Sequence, residues 1–216
     1  WFSDSTVDFK SALFNNHPLT DKFIEILKKN PFNRRSDGNK NFIVSELGKT
    51  NITLYSANNN SIMPLLIKNV NGYRSMAISS DGKYAAVISN DSFSKLTIYD
   101  DKGKVFFEQS LPYGCYCEYI VFSNGSNSLY LGGEIENQYI GIIIFDTQKK
   151  IFSEFMPIYE KTDRSQRLNC MAISSDEKLV LTGDSHSVIK IWDIKNRFLH
   201  FSIDRSSGNF ATAYSN

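Results

Sequence analysis

The chain has 216 residues, of which 41% are hydrophobic, 22% charged and 13% aromatic; it is long enough to bury a core and too apolar for a disordered chain. Lys plus Arg (24) nearly balances Asp plus Glu (23), and the net charge of +1 excludes a globally basic nucleic-acid binder. No apolar run reaches the ~18 residues that cross a bilayer as a helix, so no transmembrane segment is expected.

Residues 1–35 read as an N-terminal segment apart from the rest. Pro18 to Asn30 predicts a short helix: Thr20 or Asp21 caps it, Phe23, Ile24 and Leu27 share a face, and Pro31 stops it. Val7 to Phe14 predicts an outer strand of a neighbouring sheet. No secretion signal opens the chain, since Asp4 and Asp8 interrupt any apolar core. The opening at Trp1 suggests a processed chain or a fragment. Cys115, Cys117 and Cys170 make an odd count without a disulfide framework, which points to a reducing, intracellular compartment, cytoplasmic or nuclear.

From about residue 36 one pattern recurs. Ile52-Thr-Leu-Tyr55, Leu96-Thr-Ile-Tyr99, Ile142-Ile-Ile-Phe145 and Ile189-Lys-Ile-Trp192 are β-branched or aliphatic runs ending in an aromatic, spaced about 45 residues apart. Asp100, Asp146 and Asp193 follow the last three. Turn signals hold the same phase at Ser36-Asp37-Gly38, Ser80-Asp81-Gly82, Ser123-Asn124-Gly125 and Ser175-Asp176-Glu177; Asp or Asn before Gly suits a turn that needs positive φ. Apolar runs flank these turns. Phe42 to Val44, Tyr84 to Ile88, Leu129 to Leu131 and Leu179 to Leu181 follow them, and Met76 to Ile78, Tyr119 to Phe122 and Met171 to Ile173 precede three. A fourth strand is predicted at Met63 to Ile67, Val105 to Leu111, Ile151 to Met156 and Phe198 to Ile203. Each unit therefore reads as a four-stranded antiparallel meander. Such sheets cover both faces by stacking radially, which predicts an all-β fold of the β-propeller type.

The units resemble WD40 repeats, the one from Met171 through Leu179-Val-Leu-Thr-Gly183 to Trp192-Asp193 most closely. The resemblance covers about residues 30 to 203 and implies blades at about 36–70, 73–112, 117–157 and 168–204. Asn209 to Asn216 matches the start of the repeat and is expected to form the first strand of a fifth blade. Departures are clear. No Gly-His dipeptide precedes a first strand, and His186, Phe93 and Tyr139 stand where the family carries an Asp. The family's buried His, Ser/Thr, Asp and Trp network cannot be complete here. Four units and a piece imply an incomplete propeller, to be completed by the remainder of its own propeller or by another chain.

Little in the sequence points to catalysis. His17 precedes Pro18, His200 lies in an outer strand, and Asp184-Ser-His186 is too local to form a triad, whose members converge from separate positions. No metal-ligand spacing, P-loop or dinucleotide fingerprint occurs, so no metal or cofactor is expected. Gly132-Gly133 reads as a backbone feature ending a second strand. Tyr113, Tyr116 and Tyr119 form an aromatic cluster with Cys115. Basic stretches at Lys28, Lys29, Arg34, Arg35 and Lys40, and at Lys161, Arg164 and Arg167, read as solvated loops. Asn-x-Ser/Thr sequons at Asn51, Asn59, Asn90 and Asn124 read as chance matches.

The resemblance implies a non-enzymatic scaffold that binds other proteins through a propeller rim. Residues before each first strand, Tyr73, Arg74, Glu118, Tyr119 and Arg167, are expected to gather on one face, joined by Asp184 and His186 from the loop after a second strand. The alternatives are a hydrolase- or lactonase-like propeller enzyme and a propeller that binds RNA or phosphoinositide.

Overall fold

The computed structural model describes residues 34–36, 41–45, 51–57, 62–69, 72–91, 93–136, 138–153, 155–161 and 165–204. Among them the one helical segment is a 3-10 turn at Pro112–Gly114, and no helix is long and apolar enough to cross a membrane. The helix predicted over 18–30 and the strands predicted over 7–14 and 209–216 lie outside the described residues.

Four antiparallel sheets follow one another along the chain. The first holds β1 (Arg34–Ser36), β2 (Asn41–Ser45), β3 (Asn51–Ala57) and β4 (Ile62–Asn69). The second holds β5 (Tyr73–Ile78), β6 (Tyr84–Asp91), β7 (Phe93–Asp100) and β8 (Val105–Ser110). The third holds β9 (Tyr116–Phe122), β10 (Ser128–Ile135), β11 (Tyr139–Asp146), β12 (Ile151–Phe152) and β13 (Met156–Glu160). The fourth holds β14 (Leu168–Ile173), β15 (Leu179–Asp184), β16 (Val188–Asp193) and β17 (Phe198–Asp204). The strand predicted at Ile151 to Met156 is in fact two pieces, β12 and β13, both paired with β11. Ser153 makes the break: its N–H donates to the Ile144 carbonyl (2.7 Å) and its hydroxyl oxygen accepts the Ile144 N–H (2.9 Å).

Side chains that alternate along the strands build three apolar layers between consecutive sheets. Ile52 of the first sheet meets Met76, Ile78, Ala85, Val87 and Tyr99. The opposite face of the second sheet, with Ala86, Ile88, Leu96 and Ile98, meets Ile120, Leu129, Leu131 and Phe145 of the third. The other face of the third, with Tyr130, Ile140 and Ile142, meets Leu168, Met171, Val180 and Trp192 of the fourth. Tyr99, Phe145 and Trp192 thus each pack toward the preceding sheet. In the first, second and fourth sheets the pairing of the third strand with the fourth shifts register beside the aromatic, at Leu54/Tyr55, Ile98/Tyr99 and Ile191/Trp192. The first strands are neighbours in succession: β5 lies beside β9, and β9 beside β14.

The turns after the first strands repeat down to their hydrogen bonds. Ser79, Ser123 and Ser174 each accept, on the side-chain oxygen, the backbone N–H of the residue that opens the next strand: Tyr84 (2.9 Å), Ser128 (3.2 Å) and Leu179 (2.9 Å). Positive φ falls at Gly82, Ser126 and Glu177. The third-sheet turn is therefore one residue out of the phase assigned from sequence, and its positive φ sits on Ser126 instead of Gly125. At the next turn Asp100, Asp146 and Asp193 accept the N–H groups of Lys102 and Lys104, of Gln148 and Lys149, and of Asn196. These bonds hold the carboxyls of Asp146 and Asp193 below the usual carboxylate range.

Candidate functional site

Near the start of the first strand, three sheets skip one residue in the pairing. Arg74 is passed over between Tyr73, opposite Ser89, and Ser75, opposite Ile88. Glu118 is passed over between Cys117, opposite Gly133, and Tyr119, opposite Gly132. Asn169 is passed over between Leu168, opposite Asp184, and Cys170, opposite Gly183. All three stand at the same distance before the turn serines Ser79, Ser123 and Ser174. A bulge takes its extra residue out of the ladder and re-aims the side chain. Because β5, β9 and β14 are neighbours, the bulges form a row at one end of the stacked sheets.

Gly133 permits the central bulge. A Cβ there would lie 2.2 Å from the Tyr116 carbonyl oxygen and 2.7 Å from the Cys117 Cα, closer than any side chain tolerates. Gly132 is needed for a different reason: its Cβ would meet Leu168 and Met171 of the fourth sheet at 2.7 and 2.8 Å. Both glycines lie inside β10 and not at its end, and each serves a close approach.

The row is charged. The Arg74 guanidinium sits 3.6 Å from the centroid of the Tyr116 ring, a cation–π contact between the second and third sheets. Its Nε is buried and finds no hydrogen-bond partner among the described residues. Burial lowers its pKa, and Glu118, Arg167 and Glu134 are among the charges it feels. Burial also pushes the Glu118 carboxyl up; Glu134 adds to this, and Arg167, Arg74 and Lys161 oppose it. Beneath them Lys161 pairs with Glu134, the two side chains 2% and 12% exposed. A buried pair of this kind adds little net stability, because the desolvation of both charges offsets their attraction.

The expected site residues divide. Arg74, Glu118 and Arg167 come together, with Arg167 exposed just before β14; its N–H donates to Ser185 Oγ at 3.0 Å. Tyr73 packs against the layer between the first and second sheets, and Tyr119 against the layer between the third and fourth. Asp184 is buried at 3% exposure. Its carboxylate accepts the Gln166 side-chain amide (2.6 Å) and the N–H groups of His186 (2.9 Å) and Val188 (3.0 Å). It caps a turn and offers little to a partner. His186 is half-buried, with Nε2 3.3 Å from Ser165 Oγ. The tyrosine cluster disperses: Tyr113 is exposed in the 3-10 turn, Tyr116 lies under Arg74, and Tyr119 is packed between sheets.

Asn169 and Glu134 belong to this end and were not singled out in the sequence, and Tyr116 was noted there only as part of an aromatic cluster. Asn169 had a signal: Arg74, Glu118 and Asn169 are polar residues breaking apolar first strands at one phase. Lys161, expected on a solvated basic loop, is instead buried. Arg164 and Lys28, Lys29 and Lys40 lie outside the described residues. Burial raises the thiol of Cys115 to about 12 and that of Cys117 well above its usual value, so neither is a nucleophile at neutral pH. Among the described residues no three His, Cys, Asp or Glu side chains converge to hold a metal.

At the opposite end the turns are bonded to one another. Ser80 Oγ donates to the Asn124 carbonyl, Ser126 Oγ to Asp81 Oδ1 (3.2 Å), and Asn124 Nδ2 to the Ser175 carbonyl (3.4 Å). Tyr130 OH donates to Glu177 at 3.2 Å. Polar groups there join sheet to sheet, among exposed charged side chains such as Lys83 and Lys178. A scan of the chain against protein-family models and a search of curated protein sequences gave no match.

Proposed function

We propose that the four sheets are blades of a WD40-like β-propeller, and that the chain is a non-enzymatic scaffold binding another protein through the rim that carries Arg74, Glu118 and Arg167. The observation that carries this reading is the row of bulges at the same position in the first strands of the second, third and fourth sheets. A purely structural repeat needs no re-aimed polar residue at each copy, and rigid sheets that hold such residues at fixed spacing suit recognition. Support for the propeller comes from neighbouring first strands and from aromatics that pack toward the preceding sheet. The nucleic-acid and phosphoinositide alternatives lose support because Lys161 is engaged with Glu134 and not offered to a phosphate.

The test is charge reversal at Arg74 and Arg167 together, with Arg167→Glu alone as the milder variant. Capture of a partner from cell extract should fall for the double variant while its melting temperature stays within a few degrees of the parent. Unchanged capture with an unchanged melt would remove this rim from the reading.

A further inference from the structure

Arg74 is a half-buried cation without a counterion. Its guanidinium rides on the face of the Tyr116 ring, and among the described residues it forms no ion pair. Withdrawing an unpaired charge from water is costly, and the carboxylates nearby do not remove that cost. Glu134 is committed to Lys161. Glu118 acts on Arg74 through its charge but forms no ion pair with it. A guanidinium stacked on a ring is fixed in orientation while its in-plane N–H edge stays open. Only Nε is buried; the terminal N–H groups, which have no partner among the described residues either, reach solvent.

We propose that the partner supplies the missing counterion as an acidic side chain, an aspartate or glutamate, docking on the open edge of Arg74 with Arg167 alongside. The proposal rests on the rim being a protein-binding surface and names the chemistry which that rim recognises. Three observations lead there. First, the guanidinium is held in place before any ligand arrives, and its fork matches the two oxygens of a carboxylate. Second, the charges clustered here are Arg74, Arg167 and Lys161 against Glu118 and Glu134, a surplus of one positive charge. One carboxylate balances it. A phosphate dianion or a nucleic-acid backbone would bring further negative charge beside Glu118 and Glu134. Third, a chain-terminal carboxylate is typically captured by a nest of free backbone N–H groups, and here such groups are taken. The Arg167 N–H donates to Ser185 Oγ, the Cys117 N–H to Ser94 Oγ (3.3 Å) and the Lys161 N–H to the Gln138 carbonyl (2.7 Å).

The test is NMR on the full 216-residue chain, following the Arg74 Nε–H and Tyr116 ring signals. The probe is a short Gly/Ser peptide that carries one glutamate and is blocked at both ends. Both signals should shift and saturate at millimolar peptide, and the same peptide with glutamine should move neither. Arg74→Gln should weaken binding, read at Tyr116, by about tenfold or more, as expected for losing a charge-assisted hydrogen bond. Arg167→Gln should weaken it by about two- to fivefold, since Arg167 is exposed. Unmoved Ile88 methyl and Phe145 ring signals report that each variant is folded, and the exposed Arg167 carries the test if Arg74→Gln unfolds. Still signals with the glutamate peptide, or equal shifts with the glutamine peptide, would overturn the proposal. So would tighter binding of inorganic phosphate, of a single-stranded RNA oligonucleotide, or of the glutamine peptide with a free carboxyl terminus. Capture by the double charge-reversal variant is independent of these titrations. Lost capture with still peptide signals would remove the acidic side chain and keep the protein-binding rim, whereas unchanged capture would remove the rim itself.

Discussion

The layer between the second and third sheets and the layer between the third and fourth use the same strands of the repeat but are filled differently. In the first, Phe145 is fully buried with Phe107 at 4.4 Å and Phe152 at 5.0 Å between ring centroids, among Leu96, Leu129, Leu131 and Ile143. Tyr84 stacks on Phe106 nearby, and Lys150 reaches from the third sheet over the same ring. In the second, the matching aromatic is Trp192, only half-buried, with its Nε1 buried and without a hydrogen-bond partner among the described residues. Met171 and Met156 belong to the same layer, with Met171 also lying against Gly132. A repeat can thus keep its backbone geometry while its packing quality varies. Interdigitated rings leave no slack, whereas thioethers adapt to an irregular gap.

The contrast can be broken by substitution, beginning with the largest effect. Phe145→Ala should destabilise by about 3–5 kcal/mol, because it opens a cavity between rings that cannot collapse; urea unfolding measures it. A loss below about 1 kcal/mol would mean that the layer is not tightly packed. Gly133→Ala should come next, at about 1–3 kcal/mol or more, since its Cβ would strike backbone atoms of Tyr116 and Cys117. Gly132→Ala should lose less, because the atoms in its way belong to Leu168 and Met171 side chains that can turn aside. The reverse order in melting temperature would contradict the bulge geometry.

Trp192→Phe should change stability by under about 1 kcal/mol, in either direction, because the lost ring area is offset by removing an unbonded buried N–H. A large loss would reveal a bond to that nitrogen. The smallest effect concerns Glu118. Its pKa is raised in the folded chain, chiefly by burial. A carboxyl raised in this way favours folding most where it is protonated, and that contribution is lost as pH rises through the folded value. Glu118→Gln should therefore melt slightly above the parent at neutral pH. The difference should vanish as pH falls below the ordinary glutamate range. A Gln variant that melts lower at neutral pH would show that the attraction of Arg74 and Arg167 outweighs desolvation.

Much of the architecture was legible in the residues. The recurring aromatics predicted third strands in all four sheets, and Asp100, Asp146 and Asp193 predicted the turns that follow them. These signals are local, because a β-strand alternates its side chains and a turn carboxylate bonds the next few N–H groups. The register of the third-sheet turn was misassigned, since Asn124-Gly125 looks like the place for positive φ while the serine anchor puts it on Ser126. The split of the fourth strand at Ser153 could not be seen either, because Ile151 to Met156 is apolar enough to read as one strand.

At the candidate site, Arg74, Glu118 and Arg167 were reached from their place before each first strand. The burial of Asp184 and Lys161 was not legible, because it depends on Gln166 and Glu134, partners distant in the sequence. What the amino-acid order determined alone was periodic: strand, turn and the phase of one repeat against the next. What only the tertiary structure decided was which charges are buried and which bulge faces which neighbour. Those depend on surfaces meeting across sheets, and local chain preferences hold no information about the opposing surface.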